Sequence, residues 1–199
     1  MRCLIFLIVI FISCNIKHDN NNVISQNKHQ DSLVNELIQN EFFVYTNSSN
    51  VDSIATSFVK DGCIFSPEIN RYVHIDAEEL AEGSFDFFKI NLAEILKKRG
   101  LEITFFTAQN FEKSHEVIIN KKKFYLFDDK NIADFSFLDI GPRRFFKAIN
   151  QELQISKSDE RFYLLYGGND LGAILMTDKQ FEIIEKINEG NSKEIPYKP

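Results

Sequence analysis

An α+β fold is predicted: a single domain with a largely antiparallel sheet and helices packed on one face. Three observations predict it. Apolar residues recur at helical spacing in several segments that carry their own start and stop signals. Two pairs of short apolar, β-rich segments are each joined by a tight turn. The elements run helices, strands, helix, strands, helix, a segregated order that suits helices laid over an antiparallel sheet.

Taken in order, Leu33-Val34, Leu37-Ile38 and Phe42 form a helical stripe behind Asp31 or Ser32 as cap. Asn47-Ser48-Ser49-Asn50 reads as a loop. Residues 51–60 read as a second helix with Ile54, Phe58 and Val59 on its apolar side, broken by Asp61-Gly62. Cys63-Ile64-Phe65 and Tyr72-Val73-His74-Ile75 read as short strands about a turn at Ser66-Pro67. The clearest helix spans 76–99. Asp76 is its cap, Glu78 and Glu79 suit the positive end of its dipole, and Lys97-Lys98-Arg99 suit the negative end. Leu80-Ala81, Phe85, Phe88, Leu92 and Ile95-Leu96 are its buried stripe; Gly83-Ser84 is a place for it to divide, and Gly100 stops it.

Strands are expected over 101–107, 116–120 and 123–127, the last two about a Lys121-Lys122 turn, with a further short strand over 134–138. Gly141-Pro142 then opens a helix to Leu153, with proline in the tolerated first turn. Residues 161–166 and 171–176 form a hairpin about Gly167-Gly168-Asn169-Asp170. Thr177-Asp178-Lys179-Gln180 is a capping box for the last helix, which buries Phe181, Ile184 and Ile187.

The organisation outside this domain is equally legible. Met1-Arg2 precedes an apolar run, Leu4 to Ile12, then Ser13-Cys14 and polar chain. This is the three-part layout of an export signal, too short to span a bilayer. Phe11-Ile12-Ser13-Cys14 resembles the lipobox of bacterial lipoproteins, with Phe11 where that family usually has leucine. The resemblance implies cleavage before Cys14, two or three acyl chains on that cysteine, and a periplasm-facing or cell-surface protein held to the bilayer by lipid. Residues 1–13 are then the signal, 14–30 the lipidated cysteine and a flexible Asn-rich tether, 31–190 the domain and 191–199 a frayed tail.

Composition narrows the function. A hydrophobic fraction of 44% is that of a globular chain. A net charge of −6 speaks against nucleic acid, whose binders carry a basic field. With Cys3 in the signal and Cys14 lipidated, Cys63 stands alone and no internal disulfide is available.

The chemistry-bearing residue types are sparse and each has a structural reading. Cys63 with His74 or His115 would be a thiol and its base, yet Cys63 sits in an apolar entry to the core. His74 and Asp76, with Glu78 and Glu79, lack the spacing of a metal site, and Asp76 is explained as a cap. Gly167 to Gly172 resembles one calcium-binding glycine-rich nonapeptide, a motif that works only as stacked repeats. Arg143-Arg144 and Lys147 form either an anion site or ordinary surface solvation. Glu78, Glu82 and Asp86 fall on one face of the long helix, a solvated stripe or an electrostatic surface for a basic protein partner.

No catalytic residue, cofactor or metal ligand is assigned. The expectation is an envelope lipoprotein with a non-enzymatic binding domain, in its most specific form an immunity-type, toxin-neutralising protein. The alternatives are an envelope hydrolase whose site is assembled only in the fold, and a structural or assembly lipoprotein.

Overall fold

The computed structural model of the protein describes residues 31–61, 66–107 and 114–199. Cys14, the tether and Cys63-Ile64-Phe65 lie outside the described residues. The described residues begin with helix α1 (31–39), a turn-rich segment to Thr46, and α2 (Val51–Asp61). Strand β1 (Tyr72–His74) follows, then α3 (Ala77–Ala81) and α4 (Asp86–Lys97). Strands β2 (Phe105–Thr107), β3 (Ser114–Ile119) and β4 (Lys122–Asp128) lead to α5 (Asp129–Ala133) and the longest described helix, α6 (Phe137–Ile155). The hairpin β5 (Glu160–Leu165) and β6 (Gly172–Thr177) and helix α7 (Asp178–Ile187) complete the fold.

The α+β class with antiparallel pairing holds, and the strands divide into two three-stranded sheets, ordered β1-β6-β5 and β2-β3-β4. The first sheet is covered on both faces. Phe162, Leu164, Ala173 and Leu175 enter one apolar core with α3, α4 and α6, while Tyr163, Ile174 and Met176 enter a second with α1, α2 and α7. Among the described residues, the second sheet packs helices on one face only. His115, Val117, Ile119 and Phe105 point into the first core, whereas Phe106 and Tyr125 are 51% and 59% exposed on the other side. Helix α6 lies between the sheets, touching β4 and β5. The layers are therefore α1/α2/α7, first sheet, α3/α4/α6, second sheet.

Local signals act as expected at most boundaries. The Asp76 carboxylate accepts from the backbone N–H of Glu78 and Glu79. Gly83 and Gly100, with φ of 75° and 68°, end α3 and follow α4. Thr177 and Gln180 form the reciprocal capping box that starts α7, although Ile183, and not the half-buried Phe181, is the third buried residue beside Ile184 and Ile187.

Four expectations are corrected. Residues 134–138 are not a strand. Asp128 and Asn131 make a capping box that starts α5, Phe135 takes a left-handed φ of 58°, and α6 begins at Phe137. The period-2 pattern of Asp134-Phe135-Ser136-Phe137 is outweighed by two local helix starts. Pro142 accordingly lies inside α6, beyond the first turn, where it lacks the N–H for the Leu138 carbonyl. The tight turn centres on Asn120-Lys121, with φ of 47° and 68°, because asparagine enters the left-handed region more readily than lysine and a two-residue hairpin needs positive φ at both centres. Residues 191–199 are not frayed. Tyr197 exchanges backbone hydrogen bonds of 2.7 and 2.8 Å with Leu164, closing the free edge of β5, and Arg143 stacks on its ring at 4.5 Å.

Candidate functional site

The described ionisable groups gather at three places. The most buried is centred on Glu160, the first residue of β5. Its carboxylate receives the guanidinium groups of Arg71, just before β1, and Arg99, just after α4. The remaining N–H groups go to carbonyls. Arg71 donates to Phe42, Glu41 and Leu175, and Arg99 to Asn70 and Ile95. Tyr45 lies 4.0 Å from the Arg99 guanidinium carbon and 5.5 Å from that of Arg71. Burial holds Arg71 below its ordinary pKa, Glu160 opposing this and Arg99 reinforcing it. The group stays charged, because a guanidinium is not deprotonated in proteins. The arrangement ties the end of α1, β1, the end of α4, β5 and β6 together. Its donors are committed to the fold, so chemically it is a clamp.

A second place is Tyr163, whose hydroxyl donates to the Asp178 carboxylate. Burial, and then Asp178, push the phenol above its usual pKa, and the same hydrogen bond holds Asp178 below its own. The phenol therefore stays protonated at neutral pH and is a poor nucleophile.

The third is a groove of about 1170 Å³ between α1, α2 and the end of α7. Val34, Ile38, Ala55 and Val59 make its floor, and Asp31, Asp52 and Glu189 stand at its rim against Lys60.

The residues singled out by sequence are scattered. His74 is exposed, edge-on to Phe87 at 5.6 Å, whereas His115 is 1% exposed, stacked on Phe127 at 5.0 Å and edge-on to Phe85. Desolvation lowers the His115 pKa to about 4, so the imidazole is neutral at pH 7. Cys63 lies outside the described residues. Among the described residues, no group of three His, Cys, Asp or Glu is placed to hold a metal ion. Glu78, Glu82 and Asp86 are all exposed, but they do not share one helix: Glu82 caps the C-terminus of α3, and Asp86 opens α4. The spacing of four that placed them on neighbouring turns is broken at Gly83. Arg143 pairs with Asp139 at 2.9 Å, while Arg144 and Lys147 line a hollow beside Phe124 and Tyr125.

Sequence reasoning missed the Glu160 clamp and the groove. Arg99 was legible only as a cation suited to a helix C-terminus, a role it does fill at the Ile95 carbonyl. Arg71 and Glu160, 89 residues apart, carry no local signal of their pairing. No protein-family model, curated protein or solved structure matches the chain.

Proposed function

We propose that the chain is an envelope lipoprotein, cut before Cys14, held to the bilayer by acyl chains on that cysteine, and acting by binding through its domain. The observation that carries this reading is the short apolar run ending in Ser13-Cys14. About 16 residues then separate Cys14 from α1. Each buried CH₂ contributes about 0.8 kcal/mol, so two or more chains make attachment lasting where one would not.

The groove is the feature of the domain that best suits binding. Its apolar floor and three rim carboxylates against one lysine match an amphipathic, basic segment of a protein partner. This fits the immunity-type form of the reading, in which a toxin is neutralised where it meets the envelope.

The test is metabolic labelling with a radioactive or clickable palmitate analogue. Wild-type chain is expected to take up label and Cys14→Ser none, with globomycin causing precursor to accumulate. A wild-type chain that takes up no lipid refutes the anchor. For the groove, Asp52→Lys with Glu189→Lys is expected to abolish capture of the host partner while the melting temperature stays within a few degrees.

A further inference from the structure

The open face of the second sheet combines two features that the fold does not require. The first is apolar. Phe106 and Ile118 are cross-strand partners on that face, and Ile118 pairs onward to Lys123, two residues from Tyr125. Phe106 and Tyr125 are each more than half exposed, although β-sheet faces of this kind usually carry polar residues outward. The second is a cationic rim on an acidic chain. Lys121 stands at the β3–β4 turn, and Arg144, which also donates to the Leu126 carbonyl at 3.2 Å, and Lys147 reach from α6 to the β4 edge beside Tyr125, around a hollow of about 170 Å³. All three are exposed, and among the described residues no carboxylate lies within ion-pair distance of them. The neighbouring Lys122 and Lys123 are instead neutralised by Glu152 and Glu116 at 2.8 and 2.7 Å.

We propose that this face docks the domain on an anionic phospholipid surface, with Phe106 and Tyr125 entering the headgroup region and Lys121, Arg144 and Lys147 meeting lipid phosphates. Aromatic rings favour that interfacial depth, and surface cations are drawn to anionic lipid. A bilayer is the occupant favoured over an acidic protein because the anchor read at Cys14 brings one within reach, and to that extent the inference rests on the lipoprotein reading. The tether is long enough. Three layers at roughly 10 Å each separate α1 from this face, and about 16 extended residues reach some 50 Å. Docked in this way, the domain turns the α1/α2/α7 layer, with its groove, away from the bilayer.

The chain contains no tryptophan, so Phe106→Trp provides a sole tryptophan on the face, excited selectively beyond the tyrosine absorption band. The lipidated chain is reconstituted on vesicles of phosphatidylcholine, alone or mixed with phosphatidylglycerol, and the emission is read with and without brominated acyl chains. The expected result is a blue shift and quenching on the mixed vesicles only. Adding Lys121→Glu and Lys147→Glu is expected to lower the ratio of docked to undocked domain at least about tenfold, with an unchanged thermal midpoint. Val44→Trp, on the α1 side, is expected to stay unquenched. Three results overturn the proposal: no quenching at position 106 in a chain that floats with the mixed vesicles, quenching that survives the charge reversal, or stronger quenching at position 44. A position-106 shift produced by polyglutamate and not by vesicles overturns it in favour of an acidic protein. A chain that fails to float refutes the anchor instead. Vesicles added to that free chain then decide the face: quenching at 106 supports it and none overturns it.

Discussion

The two sheets have the same number of strands and the same antiparallel pairing, yet they are built for different duties. The first is walled in by helices on both faces, and β5 and β6 accordingly read as nearly unbroken apolar runs, Phe162 to Leu165 and Ala173 to Met176. The second buries its inner-face residues and leaves Phe106 and Tyr125 exposed, with Ile118 half-buried, among lysines on the other face. The first sheet holds the fold, because both cores end on it and the Glu160 clamp hangs from its edge. The second holds one core shut and keeps a face available. The difference teaches that, within the described strands, exposure of large apolar groups follows from which sheet face lacks a covering helix.

That contrast can be broken first at the clamp. Glu160→Ala leaves two guanidinium groups, 2% and 4% exposed at the side chain, without their carboxylate. Removing one partner of a buried ion pair costs about 3–5 kcal/mol, so the thermal midpoint of a domain this size is expected to fall by roughly 10 °C. A fall of a degree or two would mean that water reaches the arginines and that the first sheet does not depend on the clamp.

The inner face of the second sheet is sharpened by pH. Unfolded His115 takes up a proton near pH 6.5, the folded group only near 4. Between these values the unfolded state binds more protons, so stability is expected to decline as pH falls from 6.5 to 4 and to level off below that. The loss is on the order of 3 kcal/mol. His115→Phe removes the titration, and urea unfolding across this range is expected to show a flatter profile than wild type. An unchanged slope would assign the acid sensitivity to other groups.

The smallest effect belongs to the open face. Phe106→Ser, at a half-exposed site, is expected to change stability by no more than about 0.5 kcal/mol by denaturant titration. A loss above about 2 kcal/mol would show that Phe106 is part of a core and would remove the contrast between the sheets.

Much of the fold was legible where a signal is local. Asp76, Gly83, Gly100 and Thr177-Gln180 each act within one turn of chain, and the stripe from Leu80 to Leu96 is buried as its spacing requires. The signals that failed were local ones in competition. Residues 134–138 alternate like a strand but lie between two helix starts, and the four-residue spacing of Glu78, Glu82 and Asp86 means little once Gly83 ends the helix between them. The unbroken apolar runs of β5 and β6 did carry a readable sign that their sheet is covered twice.

The sequence by itself determined the α+β class, the antiparallel hairpins, most helix boundaries and the expectation of a lipid anchor at Cys14, because caps, turns and periodicity act over a few residues. Only the tertiary structure decided that the strands form two sheets, that Arg71 and Arg99 share Glu160, that Tyr197 closes the β5 edge, and that Phe106 and Tyr125 stay uncovered beside Lys121, Arg144 and Lys147. Those outcomes depend on which surfaces meet across long stretches of chain, and a buried charge or an open sheet face is defined by what packs against it.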